Sequence, residues 1–268
     1  RWQPMARSGQ GTLTARWPGG RVDGSGQVAA REGAGQIDFG IDDAATMQRW
    51  MERGPWLRAL PTALQDTLRQ PRLNGKLEAS LRWQGGWQDW QRQGRLDAQV
   101  RSPEFSARQG DAPAWTARDL RLALRGTLAD LQVDASGQAE RAGLRIALDT
   151  QSRLRVASSL GDGRVDLTRA RIDLAGLSTA AITARVELAE ALNLRWSRGG
   201  RGGAPHLELG AARWTLGLRG ATGQPAPSGT ARLSWDASRV EWGAGLPGLP
   251  GLRTRGRLEG LPQSWLEV

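Results

Sequence analysis

Apolar and polar residues alternate through residues 120–139, which read LRLALRGTLADLQVDASGQA. The leucines of the first half occupy even-numbered positions, whereas Leu131 and Val133 of the second half occupy odd-numbered ones. Successive side chains of a β-strand point to opposite faces of the sheet. The stretch therefore predicts two strands, each with one apolar and one polar face.

The break between these two strands predicts an antiparallel hairpin. A turn at Ala129 and Asp130 keeps the apolar residues of both strands on one side and places Arg125 opposite Asp134 on the other. A second hairpin is predicted around a loop at residues 150–152.

In that second hairpin Asp149 lies opposite Arg153. Similar alternation recurs along most of the chain, which predicts an all-β fold made of a long antiparallel meander. The further alternating runs lie at residues 13–17, 22–30, 36–41, 77–83, 96–100, 165–167, 170–174, 182–188, 192–196, 207–218, 231–235 and 252–258.

One interval, residues 42–72, departs from alternation and predicts a short helical insertion. Asp42 or Asp43 is suited to cap a helix that ends at Gly54, and leucines at helical spacing follow it. The predicted organisation is a β segment at 1–41, the insertion at 42–72 and a β segment at 73–268. We expect these to form one elongated domain that is a fragment of a longer chain.

The composition lacks most residues that perform chemistry. The chain has no cysteine, no tyrosine and a single histidine among 268 residues. Because nucleophiles, general bases and metal ligands usually come from these types, the composition argues against a hydrolase or a metalloenzyme. We expect no enzymatic activity, no catalytic residue, no metal and no cofactor.

The positive charge is carried by arginines spread over many strands. The formal net charge is +10, and Lys76 is the sole lysine. Such a balance favours anionic partners, either nucleic acid or lipid headgroups. The arginines recur at polar positions near Asp or Glu and do not form one block, which is typical of a solvated face. We therefore expect no nucleic acid partner.

A sheet with one apolar face must cover that face by closing into a barrel, by folding into a sandwich or by curling into a trough. Small residues at expected inward positions would fill a sandwich poorly and leave room along a trough for a long apolar ligand. A barrel in the outer membrane would need aromatic girdles, yet tyrosine is absent and phenylalanine occurs twice. The small inward residues are Ala98, Ala123, Gly126, Ala135, Gly137 and Ala184.

The parity of each run assigns the side chains that would line such a groove. They share an apolar side chain on the inward parity of a predicted strand. The expected lining residues are Leu120, Leu122, Leu124, Leu128, Leu131, Val133, Leu144, Ile146, Leu148, Leu154, Val156, Val165, Leu167, Ile172, Leu174, Ile182, Val186, Leu188, Leu192, Leu194 and Trp196.

Four stretches together resemble one family. They are residues 120–139, quoted above; PRLNGKLEASLRWQGGWQDW at 71–90 following PWLRALPTALQDTLRQ; TARLSWDASRVEW at 230–242; and LRTRGRLEGLPQSWLEV at 252–268. The chain resembles the middle of TamB-family proteins, the translocation and assembly module members of the AsmA-like group of bridge-like lipid transfer proteins. The resemblance covers nearly the whole chain and rests on patterns of alternation and turns.

This resemblance implies a groove-shaped sheet, called a β-taco, in a periplasmic protein of the Gram-negative cell envelope. It implies transport of phospholipids, held by their acyl chains, between the inner and outer membranes, and a part in outer-membrane protein assembly and protein secretion. It also implies an inner-membrane anchor and a contact with a TamA-like outer-membrane barrel, both through regions that the chain lacks.

A secreted, adhesin-like β-solenoid with a purely structural role is the alternative interpretation. A solenoid should show a fixed repeat length and parallel stacking. The variable strand spacing and the predicted hairpin pairs favour the groove.

Overall fold

The computed structural model describes residues 2–3, 8–54, 71–88, 90–127, 129–157, 162–176, 182–197, 206–219, 229–241 and 256–260. The chain divides into two compact units. The first contains residues 1–127 and 135–143, and the second contains residues 128–134 and 144–268.

The first unit is an open antiparallel sheet in which β2, β3, β4, β6, β7 and β8 are neighbours in that order. β1 pairs with the start of β2, and β5 pairs with the second half of β7. The strands are β1 (Trp2–Gln3), β2 (Ser8–Trp17), β3 (Gly20–Ala29), β4 (Ala34–Ile41), β5 (Pro71–Gly75), β6 (Leu77–Gln84), β7 (Arg95–Gln109) and β8 (Trp115–Thr127). β9 (Asp130–Arg141) crosses the division, and its residues 135–141 belong to this unit.

The second unit is an open antiparallel sheet built on two long strands, β10 and β11. The first half of β11 pairs with β13, which is followed in the sheet by β14 and then β17. The second half of β11 pairs with β12, which is followed by β15, β16 and β18. The strands are β10 (Leu144–Val156), β11 (Gly163–Ala175), β12 (Thr183–Leu188), β13 (Leu192–Ser197), β14 (His206–Leu209), β15 (Ala212–Arg219), β16 (Gly229–Trp235), β17 (Ser238–Glu241) and β18 (Gly256–Glu259).

The all-β fold class predicted from alternation is therefore confirmed. A ten-residue helix, α1 (Ala44–Arg53), accompanies the strands, and α2 (Trp90–Gln93) is a single turn. Asp43 caps α1 by accepting hydrogen bonds from the backbone N–H groups of Ala45 and Thr46, and Gly54 ends the helix. The Thr46 hydroxyl also donates to Asp43 and is the main reason why the pKa of Asp43 lies below its usual value.

The helical insertion is shorter at its end than predicted, because residues 71 and 72 belong to β5. The leucines expected in a following helix lie at residues 57–68, outside the described part of the chain.

The first predicted hairpin has a different turn. β8 ends at Thr127 and β9 begins at Asp130, so Asp130 is a strand residue and not part of the turn. Arg125 lies opposite Asp97 of β7, and Asp134 accepts a hydrogen bond from Gln132. The pairing of Arg125 with Asp134 stays a prediction. Ala-Asp is a weak turn pair, which is why the sequence located this turn poorly.

The second predicted hairpin is wrong, because residues 144–156 form the single strand β10. Asp149 is paired with Arg169 at 2.8 Å, and Arg153 with Asp130 at 2.7 Å. The supposed loop at residues 150–152 contains no glycine, proline, asparagine or aspartate, and its even positions continue the parity on both sides. A strand passes through such a stretch without penalty.

Three runs predicted from the sequence change their extent in the fold. Residues 165–167 and 170–174 belong to the one strand β11, in which Thr168 is left without a partner in the register with β10. The single run predicted at 207–218 is instead divided into β14 and β15 at Gly210. In both places the apolar residues change parity, and an irregularity in the strand is what keeps them on one face.

Few large side chains of the described residues are fully buried. The buried apolar residues are Ala44, Leu131, Ala170, Ile182, Ala184, Ala212 and Ala231. Five of these seven are alanines, so the sheets hide their small residues and leave most of their large aliphatic ones partly accessible.

Candidate functional site

One face of the second unit is largely apolar, with Thr150 and Ser152 of β10 as polar exceptions. In a row near one end, Ile146 lies opposite Leu174, and Leu174 also lies opposite Ala184. In a row near the other end, Leu154 lies opposite Val165, which lies opposite Leu194. Cross-strand partners share a face, so these rows together define the apolar face of the second unit.

The predicted lining residues largely come together on such faces. The register places Leu120, Leu122 and Leu124 on the apolar face of the first unit. It places Ile146, Leu148, Leu154, Val156, Val165, Leu167, Ile172, Leu174, Val186, Leu188, Leu192, Leu194 and Trp196 on that of the second.

The other predicted lining residues are placed less completely. Leu144 begins β10 on the same parity as Ile146, and Leu131 and Val133 occupy alternate positions of β9. Ile182 directly precedes β12 and is only 9% exposed. Leu128 lies outside the described residues.

One of the small residues assigned to the inside is on the wrong face. Ala123 lies opposite Gln99, on the polar side of the first unit. Ala98 and Gly126 lie on the apolar side, opposite Leu81 and Leu96 respectively.

The apolar faces extend beyond the predicted set. Alternation of the same kind would have identified the additional residues, which lie in strands that the sequence already indicated. They are Ile37, Phe39, Leu81, Leu96 and Val100 in the first unit and Leu209, Trp214, Leu216, Leu218, Leu233 and Leu258 in the second.

Large side chains on these faces remain exposed. Leu148 is 40% exposed, Leu258 is 46% exposed and Leu13 of the first unit is 53% exposed. Isolated exposed leucines are common on proteins, but these belong to continuous apolar rows. The faces can therefore offer contact to an apolar ligand.

Tryptophans on the apolar faces lie over glycines of the neighbouring strand. Trp83 faces Gly35, and Trp196 faces Gly163. A Cβ atom added to either glycine would collide with the indole ring. Because the glycines lack side chains, each indole can approach the backbone of the neighbouring strand, and both indoles stay partly accessible.

Helix α1 covers one end of the apolar face of the first unit. Trp50 of the helix stacks on Trp17 with ring centroids 6.4 Å apart, and Trp17 also contacts Phe39 at 5.9 Å. The Gln48 side chain accepts a hydrogen bond from the backbone N–H of Leu73 at 2.9 Å, which joins the helix to β5.

The opposite face of the second unit carries arginines paired with carboxylates. Asp173 accepts hydrogen bonds from Arg185 at 2.6 Å and from Arg171 at 2.8 Å. Burial alone would raise the pKa of Asp173, but these two hydrogen bonds outweigh it and the pKa is lowered. The hydrogen bond to Asp173 likewise raises the pKa of Arg185.

The described residues contain no group of three or more His, Cys, Asp or Glu side chains arranged to hold a metal ion. In His206, the single histidine, Nε2 lies 3.8 Å from Oε1 of Glu208. No helix in the described ranges has both the length and the apolar character needed to cross a membrane.

No family model, no curated protein and no solved structure matches the chain.

Proposed function

We propose that the chain is a segment of a TamB-like lipid conduit, in which phospholipid acyl chains travel along the apolar faces of the sheets. The observation that carries this proposal is the apolar rows of the sheets, in which single large side chains such as Leu148, 40% exposed, and Leu258, 46% exposed, stay accessible. Exposed apolar surface of this kind marks sites that contact an apolar partner.

The energetics of lipid transfer favour such a surface. Transfer of a phospholipid with about 30 methylenes into water costs roughly 20 kcal/mol or more of free energy, at about 0.8 kcal/mol per methylene. Apolar contact along the route offsets most of this cost and requires no catalytic residue. The indoles of Trp83 and Trp196, which pack over Gly35 and Gly163, fit this role because they add apolar surface.

The wider setting belongs to the same proposal. In the periplasm of a Gram-negative envelope, the conduit would link the inner and outer membranes and would support outer-membrane protein assembly. An inner-membrane anchor and a TamA-like barrel partner would be contributed by other parts of the full protein. A β-solenoid is less well supported, since the strand pairs resolved in register are antiparallel.

A first test identifies the ligand directly. Photo-crosslinkers placed at Ile146 and Val156 should capture phospholipid in cells, whereas those at the adjacent positions Arg145 and Arg155 should not, because neighbouring residues of a strand lie on opposite faces. Mass spectrometry of the crosslinked species provides the measurement. Equal labelling at both pairs of positions would contradict the proposal.

A second test blocks the route with one charge. Leu148→Arg places a guanidinium on the apolar face, where desolvating it opposes the passage of acyl chains. Ala147→Arg is the matched control, since Ala147 lies on the polar face opposite Asp173. We expect Leu148→Arg alone to abolish transfer of labelled phospholipid to the outer membrane, with both proteins at normal abundance.

Normal lipid transfer with Leu148→Arg would reject the conduit. We choose Leu148 because its exposure lets the new charge reach water, so that the protein still folds. At Ile182, which is 9% exposed, the same change would test folding instead.

A further inference from the structure

Three arginines on the polar face of the first unit surround one carboxylate. Arg82 of β6 and Arg125 of β8 lie directly opposite Asp97 of β7, one on each side. Arg95 precedes Asp97 by two residues on β7 and therefore points to the same face. We call Arg82, Arg95, Arg125 and Asp97 the basic cluster.

The carboxylate neutralises only part of this charge. The closest ion pair of the cluster joins Arg125 Nε to Asp97 Oδ1 at 3.9 Å. Within the described residues, no carboxylate forms an ion pair with Arg82 or Arg95. Three positive charges against one negative charge leave a local surplus of two.

A group of charges on the polar face of the second unit is balanced. Arg171 and Arg185 meet two carboxylates there, Asp173 and Glu187, so that positive and negative charges are equal in that group. The basic cluster differs from this paired group in its surplus of positive charge.

The charges are more balanced further along the same strands. Arg101 of β7 lies directly opposite Arg121 of β8 on one side and opposite Glu78 of β6 on the other. The surplus is therefore local to the basic cluster.

The cluster lines part of a cleft of about 640 Å³. Ser25, Gln36 and Gln84 also line it and add hydroxyl and amide donors to the three guanidinium groups. Trp83 and Leu96, which belong to the apolar face, line another part of the same cleft. The cleft is large enough for an anionic group together with part of the molecule that carries it.

We propose that the basic cluster binds a phosphate monoester. Such a group carries a charge of about −1.5 to −2 at pH 7, which matches the surplus of two, whereas a carboxylate carries only one. Arginine forks match phosphate oxygens in geometry and form charge-assisted hydrogen bonds to them. The phosphate belongs either to a lipid headgroup or to a soluble compound. The arginines of the cluster lie on the polar face, and their surplus charge does not depend on the proposed lipid route.

Two probes separate these sources. Glycerol 3-phosphate is titrated into the 268-residue chain by isothermal calorimetry, and phosphatidylcholine vesicles with or without phosphatidic acid are tested by co-sedimentation. Binding of glycerol 3-phosphate identifies a soluble ligand as sufficient. Binding only to the vesicles that contain phosphatidic acid identifies a lipid headgroup. Binding to neither probe overturns the proposal.

Arg82→Gln combined with Arg95→Gln should weaken whichever binding is found by about tenfold or more, the usual effect of removing charge-assisted hydrogen bonds. The control combines Arg153→Gln with Arg169→Gln, which removes the same charge from arginines already paired with Asp130 and Asp149. It should change binding by less than about twofold. Equal losses in the two double variants would show non-specific attraction and overturn the proposal.

A gain of binding provides an independent check that does not depend on removing an arginine. Asp97→Asn raises the surplus charge of the cluster and should strengthen binding severalfold, while Asp149→Asn in the second unit should not. Binding should also weaken as the pH falls below about 6, where the phosphate takes up its second proton. Equal gains from Asp97→Asn and Asp149→Asn, or a loss on Asp97→Asn, would contradict the site.

Discussion

On the polar face of the second unit, Arg171 and Arg185 each reach two carboxylates in their own or neighbouring strands. On the apolar face of the same sheet, Leu148 remains 40% exposed. Both faces are made by the same backbone and differ only in the parity of their residues. The arginines of this polar group find carboxylate partners within the sheet, whereas Leu148 on the apolar face leaves surface that an external apolar ligand can contact.

The largest effect should come from charging a buried position of the apolar face. Ala231 is 0% exposed and lies opposite Leu216. Ala231→Asp should lower the free energy of unfolding by about 3 kcal/mol or more, because the carboxylate is taken out of water without a partner. Urea denaturation measures the loss.

Leu148→Asp is the control for that substitution, since it introduces the same charge on the same face at an exposed position. It should cost less than about 1.5 kcal/mol. Equal losses at Ala231 and Leu148 would mean that the apolar face is covered in solution.

An intermediate effect is expected where an indole lies on a glycine. Gly163→Ala should displace Trp196 and cost about 1–3 kcal/mol, as overpacking usually does. Gly217 lies on the polar face opposite Arg185, and a Cβ atom there meets no atom within 4 Å. Gly217→Ala should therefore be neutral or stabilise the chain by up to about 1 kcal/mol.

Thermal unfolding and tryptophan fluorescence report on both glycine variants. If Gly163→Ala were as stable as Gly217→Ala and left the fluorescence unchanged, the indole would not rest on the backbone at Gly163.

The smallest effect should come from the paired charges. Asp173→Asn should cost about 1 kcal/mol or less at pH 7, because all three side chains of this pairing are at least one-third exposed and solvent screens them. The lowered pKa of Asp173 means that its contribution is present above the unfolded-state value near 3.8 and is lost as the pH falls through the folded-state value. The stability difference between the two proteins should therefore disappear in strongly acidic solution, and a difference that grew there would contradict the pairing.

Alternation predicted the strands well because a period of two depends only on local residue order. It placed the lining residues Ile146 and Leu174 on one face without knowledge of which strands are neighbours. It also identified the capped helix, since Asp43 and Gly54 are local signals.

Pairing between distant strands could not be predicted in the same way. Asp149 forms its ion pair with Arg169 of β11, whereas the sequence predicts a pair with the nearby Arg153. The basic cluster was also missed, because Arg82, Arg95 and Arg125 come from three strands and meet only through the register of the sheet. The charge pattern of each strand taken alone does not reveal this surplus.

Thr168 is an extra residue in β11 that changes which positions face the apolar side. Side chains of a strand alternate between its two faces, and the extra Thr168 keeps Leu167 and Ala170 on the same face although they are three positions apart, much as an insertion shifts a reading frame. A deletion of one residue elsewhere in a strand would turn every apolar side chain beyond it toward the arginines, whereas a deletion of two would preserve the frame. Proteins built this way should tolerate changes of length in pairs of residues and should lose both faces when the length changes by one.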